Sequence, residues 1–227
     1  MGAAMTTIAV VGGTGAEGSA IALRLGHAGF RVIIGTRDSS RGARISEELN
    51  GILGRSVIEF ATNDAATRAA ELVILTVPYN VQVSIVKALS PVLERKILID
   101  ATVPLLPPKV SSVQLPSGGS AVAAVQQMLG DKVRVVSAFQ NVAAHKLRDL
   151  AADVGCDVLV CGDDAGARAV ALELIAKMGL RGLDAGPICN SAAAEALTSI
   201  LIFLNRKYKV PGSGIKITGL DDAAAAR

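Results

Sequence analysis

A glycine-rich segment near the N-terminus constrains the fold of this chain more than any other feature. An apolar, β-prone run at residues 8–11 passes into the sequence GGTGAEG and then into a helical pattern. Gly13, Gly15 and Gly18 form a G-x-G-x-x-G motif, whose glycines permit a tight turn, the approach of a pyrophosphate and the packing of helix on strand. The segment predicts a dinucleotide site at a helix N-terminus; a glycine-rich turn without a ligand is the alternative.

Short apolar strands alternate with helical patterns along the rest of the chain. Strands are predicted at residues 7–12, 31–36, 56–61, 72–77 and 96–100, with more in the second half. This alternation is typical of a parallel sheet with helices on both faces, and continuous Val/Ile/Leu runs are typical of strands covered on both sides. We predict an α/β fold: a Rossmann-type, doubly wound, mostly parallel sheet with a small C-terminal extension packed on it.

Composition argues against several classes of function. Apolar residues make up 51% of the 227, and no apolar run reaches the ~18 residues that cross a membrane, so we expect a cytoplasmic protein without a membrane partner. A net charge of +3 and 3% aromatic residues argue against nucleic-acid binding. Cys156, Cys161 and Cys189 are odd in number and wrongly spaced for zinc, so we expect no metal site.

The residues after the second predicted strand select the dinucleotide. NAD-binding domains normally place Asp or Glu there to hold the ribose 2′-hydroxyl. This chain instead has Thr36 and Arg37, with Arg41 close behind. Guanidinium groups attract a 2′-phosphate, which predicts NADP(H). Asp38 weighs against this prediction, and two arginines at the solvated start of a helix are the alternative.

Thr76, Val77 and Pro78 end the fourth predicted strand. Ligands of open α/β sheets lie outside the carboxyl ends of the strands, near the point where the strand order reverses. We therefore expect these residues to flank the nicotinamide half of the dinucleotide. A strand that simply ends at a proline is the alternative.

The sequence offers little protein-based catalysis. It lacks a Ser/His/Asp order and an HExxH motif, and Tyr79 and Tyr208 are its only tyrosines. His27 is interpreted as structural and His145 as solvated. Reduction of a simple carbonyl usually needs an acid for the alkoxide. Either that acid is hidden, or the acceptor is a second redox cofactor that receives hydride on its own ring and needs no catalytic residue.

Several further segments match a known family. They are Gly35-Thr36-Arg37, Leu75-Thr76-Val77-Pro78, Val136-Ser137-Ala138-Phe139, Val160-Cys161-Gly162-Asp163-Asp164, Leu183-Asp184-Ala185-Gly186-Pro187 with Asn190-Ser191, and Gly214-Ile215-Lys216. Through these segments and the glycine-rich turn, residues 8–220 resemble the NADPH-dependent F420 reductases, also called F420H2:NADP oxidoreductases.

The resemblance implies hydride transfer between NADP(H) and the deazaflavin coenzyme F420, generally in a homodimer, with small-molecule cofactors as substrates. No catalytic side chain is predicted. The motif and the resemblance together predict these cofactor-binding residues: Gly13, Thr14, Gly15, Ala16, Glu17 and Gly18 at the phosphates; Thr36, Arg37 and Arg41 at the 2′-phosphate; Thr76, Val77 and Pro78 at the nicotinamide; and Thr102, Val103, Pro104, Asn141 and Ala143 at the deazaflavin.

One segment departs from the family. In archaeal members the segment after the Ser-Ala pair reads approximately His-Thr-Ile-Pro-Ala; in this chain Phe139 is followed by Gln140-Asn141-Val142-Ala143-Ala144. An imidazole and a proline are thereby missing near the expected ring site. The alternatives are an NADP-dependent reductase of another small acceptor (a flavin, an imine or a quinone) and a non-catalytic NADP-binding sensor.

The positions of these motifs along the chain also predict how it is divided into domains. Residues 1–140 are predicted to form the NADP-binding Rossmann domain, and residues 141–220 a smaller C-terminal α/β part that completes the cleft for the second cofactor. A long loop rich in proline and glycine at residues 101–120 lies between the strands of the first part, and such loops are usually functional. Residues 221–227 are predicted to be a disordered tail.

Overall fold

The computed structural model describes residues 6–220, so the tail predicted at residues 221–227 lies outside the described residues. Within that range eight strands form a single sheet. The strands are β1 (Thr7–Val11), β2 (Arg31–Thr36), β3 (Ile58–Thr62), β4 (Leu72–Leu75), β5 (Ile97–Asp100), β6 (Arg134–Ser137), β7 (Asp157–Gly162) and β8 (Arg181–Asp184).

Helices connect successive strands of this sheet, except between β5 and β6, where a long loop comes first. The helices are α1 (Ala16–His27), α2 (Ser39–Leu53), α3 (Asn63–Ala69), α4 (Tyr79–Leu93), α5 (Ala121–Leu129), α6 (Ala144–Arg148), α7 (Ala165–Lys177) and α8 (Ser191–Tyr208).

The strand order is β3-β2-β1-β4-β5-β6-β7-β8. Strand β1 pairs in parallel with β2 on one side and with β4 on the other, so the order reverses at β1 and opens a crevice above its carboxyl end. Neighbouring strands are parallel except β6 and β7, which pair antiparallel at the start of the C-terminal part. The predicted Rossmann-type, mostly parallel sheet is confirmed.

Both faces of the sheet are covered. Side chains alternate along β1: Ile8 and Val10 pack into the apolar core on one face, and Ala9 and Val11 into the core on the other. All four are almost completely buried. Two buried faces explain why central strands such as β1 and β4 are almost wholly apolar instead of alternating with polar residues.

Arg24 connects α1, the helix that follows the glycine-rich turn, to the C-terminal part. Its side chain is buried, and burial lowers the pKa of the guanidinium. It donates hydrogen bonds to the main-chain carbonyl oxygens of Leu147 (2.7 Å), Asp149 (2.7 Å), Met178 (3.1 Å) and Lys146 (3.2 Å). Four acceptors from two distant segments fix the back of α1 to residues 141–220.

Glu195 connects α8 to α5. Its buried carboxylate accepts hydrogen bonds from Ser120 Oγ (2.6 Å) and from the backbone N–H of Ala121 (2.7 Å) and Val122 (3.2 Å), which satisfies the N-terminus of α5. Burial raises the pKa of Glu195, and these bonds oppose the shift. By length and composition alone, the helical stretch Ile188–Tyr208 is apolar enough to cross a membrane; Glu195 shows that one face of α8 packs inside the protein instead.

Candidate functional site: two cavities at the strand-order reversal

Two cavities meet above the carboxyl ends of β1 and β4. The β2-side cavity measures about 650 Å³ and is lined by residues that follow β1, β2, β3 and β4. The β5-side cavity measures about 450 Å³ and is lined by residues that follow β1, β4, β5 and β6, together with Thr198 of α8. Gly15, Thr76, Val77 and Pro78 line both cavities and form the wall between them. The site therefore lies at the crevice that the strand order predicts.

The glycine-rich turn uses its glycines differently from the prediction. The left-handed conformation of the tight turn belongs to Gly12, with φ +79°, and not to Gly13. Gly13 is required for space, because a Cβ there would lie 2.7 Å from the carbonyl oxygen of Val10. A Cβ at Gly15 would have a single neighbour within 4 Å, the Gly12 carbonyl oxygen at 3.4 Å, so this position is open toward both cavities.

Gly18 brings α1 against β4, as the motif predicts. A Cβ at this position would lie 2.5 Å from Thr76 Oγ1 and 2.7 Å from the Cα of Gly13. Thr76 Oγ1 in turn donates a hydrogen bond to the carbonyl oxygen of Val11 at 3.0 Å. The missing side chain thus allows helix, turn and strand to approach closely and gives the shared wall a fixed position.

Cationic side chains line the β2-side cavity. Arg37 and Arg41 are exposed on its rim, and Arg41 Nη2 donates a hydrogen bond to the carbonyl oxygen of Thr14 at 3.0 Å. Thr36 Oγ1 accepts a hydrogen bond from the backbone N–H of Asp38 at 3.1 Å. Two guanidinium groups beside open backbone N–H groups suit an anionic ligand.

Asp38, the residue that weighs against NADP(H), serves as the N-cap of α2. Its Oδ1 accepts hydrogen bonds from the backbone N–H of Arg41 (3.0 Å) and from Ser40 Oγ (2.7 Å). These bonds lower the pKa of the Asp38 carboxyl, the backbone N–H having the larger effect. The carboxylate is thereby engaged with the start of the helix, whereas the guanidinium groups of Arg37 and Arg41 extend along the cavity rim.

A buried carboxylate organises the β5-side cavity from behind. Asp100 ends β5 and is fully buried, which raises its pKa. Its Oδ1 accepts from the backbone N–H of Thr102 (2.9 Å), and its Oδ2 accepts from Gln82 Nε2 (2.6 Å). Gln140 Nε2 donates to the Asp100 carbonyl oxygen at 2.8 Å. The loop after β5 and the turn after β6 are thus held to one another.

Two side-chain oxygens at the β5-side cavity are buried without a hydrogen-bond partner among the described residues. They are Glu17 Oε1 and Gln140 Oε1. Burial raises the pKa of Glu17 to about 8. Buried polar atoms are nearly always paired, so two orphaned acceptors in one cavity indicate a site that a polar ligand completes.

Most of the predicted residues lie at these cavities. Those that line one or both are Thr14, Gly15, Ala16, Glu17, Thr36, Arg37, Arg41, Thr76, Val77, Pro78, Thr102 and Val103. Gly13 and Gly18 lie beneath the turn, and Pro104 is buried just after Val103.

Asn141 and Ala143 lie behind the cavity wall. The Asn141 amide donates to the carbonyl oxygen of Ala194 (2.7 Å) and to Thr198 Oγ1 (3.3 Å), and Ala143 is the residue before α6. Asn141 therefore holds α8 against the turn after β6.

The structure adds cavity-lining residues that the predicted set omits: Gly12, Gly35, Asp38, Asn63, Val81 and Ile85 at the β2-side cavity, and Tyr79, Ala101, Leu105, Phe139, Gln140, Val142 and Thr198 at the β5-side cavity. Asn63 directly follows β3, and Tyr79 comes shortly after β4. The rule that ligands lie at the carboxyl ends of strands could therefore have indicated both residues. Phe139 has a left-handed backbone with φ +77°, a conformation that concentrates at functional sites. Thr198 lies within α8, and no sequence signal indicates it.

Several known proteins match this chain over nearly its full length. A family described as NADP oxidoreductase, coenzyme F420-dependent, matches residues 7–104. The F420-dependent NADP reductase of Methanocaldococcus jannaschii is 38% identical over 222 residues, covering 94% of this chain and 99% of the relative; that of Methanothermobacter marburgensis is 37% identical, covering 95% and 99%. A crystal structure of a putative F420-dependent NADP reductase from Arthrobacter sp. FB24 superimposes with a TM-score of 0.76 at 27% identity, covering 93% of this chain and 98% of the other.

Proposed function

The chain belongs to the family of F420-dependent NADP reductases, and we propose that it transfers a hydride between NADP(H) and coenzyme F420 across the wall that its two cavities share. The observation that carries this proposal is the junction itself. One cavity with a cationic rim and one with orphaned buried acceptors meet at Gly15 and at residues 76–78. Two rings that meet there exchange the hydride directly, and the protein contributes alignment.

The β2-side cavity fits the dinucleotide. Arg37 and Arg41 line this cavity with Thr36, and their positive charges support a 2′-phosphate site there. The open face of Gly15 and the N-terminus of α1 suit the pyrophosphate, because a Cβ would narrow this approach and the helix end carries a positive partial charge. Asn63 Oδ1, buried without a partner among the described residues, is a further acceptor for the nucleotide.

The β5-side cavity fits the deazaflavin ring. Val77, Leu105, Phe139 and Val142 give it apolar walls, while Thr102 and Gln140 supply polar atoms at its edges. An aromatic ring with polar ring atoms matches this combination. In this assignment residues 1–140 supply the NADP site, and residues 141–220 complete the ring site through Val142 and Thr198.

The test is a direct assay. Purified protein is mixed with NADPH and oxidised F420, and the loss of F420 absorbance is followed, with NADH, a flavin, an imine and a quinone in parallel reactions. We expect turnover with NADPH and F420 and much slower turnover with NADH. Consumption of NADPH only with another acceptor, or tight NADPH binding without any turnover, contradicts the proposal.

We propose that the protein is a homodimer, as the family resemblance implies. An apolar surface is exposed on α8 and on the long loop, which are linked by a hydrogen bond from Arg206 Nη1 to Ser111 Oγ (3.3 Å). The exposed side chains are Ile200, Phe203 and Tyr208 on α8 and Leu106, Val113 and Leu115 on the loop. A second copy that covers this surface removes it from water.

Light scattering coupled to gel filtration tests the dimer. Phe203→Glu introduces a charge into the proposed interface and is expected to yield monomers. Val170→Glu, at an exposed apolar residue on α7, is the matched control and keeps the dimer. A monomeric wild-type protein, or a dimer that survives Phe203→Glu, overturns this assignment.

We also propose a cytoplasmic location. Cys156, Cys161 and Cys189 are all free, and the last of them is exposed, which suits a reducing compartment. Fractionation of cells that produce the protein tests this, and recovery in the membrane fraction contradicts it.

A further inference from the structure

Glu17, which the sequence predicts at the phosphates, instead lines only the β5-side cavity, where it has two properties that hydride transfer between the cofactors does not require. It is the second residue of α1, in the first turn of the helix, and its side chain lines the β5-side cavity next to the shared wall. Its Oε1 is buried and has no hydrogen-bond partner among the described residues. Because burial raises the pKa of this carboxyl to about 8, it retains its proton at neutral pH.

Reduction of a deazaflavin by NADPH needs one proton besides the hydride. The balance is NADPH + F420 + H⁺ → NADP⁺ + F420H2, in which the hydride adds to a ring carbon and the proton to a ring nitrogen. A ring that fills the β5-side cavity displaces water from it, so a proton source within the cavity avoids a path from solvent.

Few groups at this cavity can supply that proton. Among the described residues that line it, Glu17 and Tyr79 are the titratable side chains. Asp100 lies behind the wall with both carboxylate oxygens engaged by Thr102 and Gln82, so it acts by holding the loop.

We propose that Glu17 is a catalytic residue that delivers the proton from its side-chain carboxyl group to the ring nitrogen during reduction of F420 and takes it back in the reverse direction. This inference rests on the proposed function. The O–H bond of the carboxyl breaks, its electron pair stays on the carboxylate, and the N–H bond forms on the ring. The carboxylate regains a proton from solvent when the product leaves.

The position of Glu17 on the helix assists this step. The carboxylate is formed within the first turn of α1, where backbone N–H groups point outward and the helix end carries a positive partial charge. Burial favours the protonated acid before transfer, and the helix end stabilises the anion after it. Together the two effects keep the pKa of the Glu17 carboxyl close to neutral pH, where a group can both give and receive a proton.

The first test needs no cofactor. Infrared difference spectra of the ligand-free protein, wild type minus Glu17→Gln, isolate the C=O stretch of the protonated Glu17 carboxyl. We expect this band to persist at neutral pH and to disappear around pH 8. If the band disappears at the lower pH at which an exposed carboxyl ionises, the proposal is overturned.

The second test compares kcat/KM in the two directions as a function of pH. With F420 and NADPH, the wild-type value is expected to be constant below about pH 8 and to fall above it; with F420H2 and NADP⁺ it rises with pH and levels off above the same point. In Glu17→Gln, kcat/KM is expected to fall about 10²-fold in both directions. Its pH profiles are also expected to lack the change of slope near pH 8, the break, that the two wild-type profiles share. Titrations of the ligands occur in both proteins and cancel in the ratio.

Controls separate this role from a structural one. Tyr79→Phe keeps the break, and Glu47→Gln, an exposed position on α2, keeps both rate and break. Glu17→Asp, which retains a carboxyl, recovers part of the rate with a shifted break. If wild type reduces F420 and Glu17→Gln retains the rate or the break, Glu17 is not the donor. If wild type does not reduce F420 at all, the proposed function itself fails, and this inference fails with it.

Discussion

The two cavities differ in how the protein prepares them for a ligand. The rim of the β2-side cavity carries exposed cations, and its carboxylate, Asp38, is already bonded to the start of α2. The β5-side cavity has buried acceptors that are left unpaired, Glu17 Oε1 and Gln140 Oε1, between apolar walls. The first therefore selects its ligand mainly by charge at the surface, with one acceptor, Asn63 Oδ1, buried and unpaired among the described residues, and the second mainly by hydrogen bonds that form only when water is excluded. The second costs folding stability, because an unpaired buried polar atom is unfavourable.

We expect the largest effect when the two guanidinium groups on the rim of the β2-side cavity are removed. The double variant Arg37→Ser/Arg41→Ser should raise the KM for NADPH by about 10²–10³-fold, since each guanidinium loses a charge-assisted hydrogen bond to the phosphate. The KM values for NADH and F420 are expected to change little. Steady-state assays with each substrate varied in turn measure this, and Arg44→Ser on the same helix is the control. An equal loss with NADH contradicts the assignment.

The stability cost at Glu17 should depend on pH. The unfolded chain releases this proton near 4.5, and the folded protein releases it at about 8. Between these values the folded state binds more protons, so stability is fully present below the lower value and is lost as pH rises through the upper one. Wild type should lose roughly 2–4 kcal/mol on this account between about pH 5 and pH 8.

Urea unfolding across this pH range measures that loss. Glu17→Gln lacks the titration, so its free energy of unfolding should exceed that of wild type by an amount that grows with pH. Glu47→Gln should follow wild type. A difference between Glu17→Gln and wild type that stays constant with pH contradicts a buried, protonated Glu17.

A smaller effect is expected at the other orphaned acceptor. Gln140→Leu removes Oε1 from the β5-side cavity and the bond from Nε2 to Asp100, and should weaken F420 binding about tenfold. NADPH binding should be unchanged, because Gln140 lines only the β5-side cavity. Fluorescence titration gives both Kd values, with exposed Gln127→Leu on α5 as the control. Equal weakening of both ligands would show that the two cavities are not separable at this residue.

The smallest effect concerns Asp38. Asp38→Asn keeps a good helix cap but removes a negative charge from the β2-side cavity. NADPH should bind about two- to threefold tighter at low ionic strength, and salt should remove the gain. Calorimetric titration at two salt concentrations measures it. If NADH, which lacks the 2′-phosphate, gains the same affinity, the effect of Asp38 does not act on the 2′-phosphate.

The β2-side cavity could largely be predicted from the sequence. Most of its residues directly follow β1, β2, β3 or β4, and the geometry of a parallel sheet brings these strand ends together whatever else the chain contains. The exchange of roles between Gly12 and Gly13 escaped prediction, because both are glycines. What separates them is the positive φ of Gly12 and the tertiary contacts of each residue, such as Ile34 Cγ2, which would lie 3.0 Å from a Cβ at Gly13.

The β5-side cavity was less predictable because its wall is assembled from separate segments. Thr198 Oγ1 donates to the carbonyl oxygen of Gln140 at 2.7 Å, across 58 positions of sequence. This contact depends on how α8 packs against the turn after β6, and local pattern carries no information about it. The same reasoning applies to Asn141: the sequence predicts it as a cofactor-binding residue, whereas its amide bonds to α8 and it does not line the cavity.

The hydrogen bonds of Arg24 limit how this protein can be divided, whether by recombination of genes or by engineering. A Rossmann unit is often pictured as a cassette that can be cut from one protein and fused to another. Here the helix that begins at the glycine-rich turn carries a buried cation whose four acceptors all lie beyond residue 140. A chain cut at that point leaves the cation without them. We therefore expect that residues 1–140 cannot be transferred to another protein unless residues 141–220 are transferred with them.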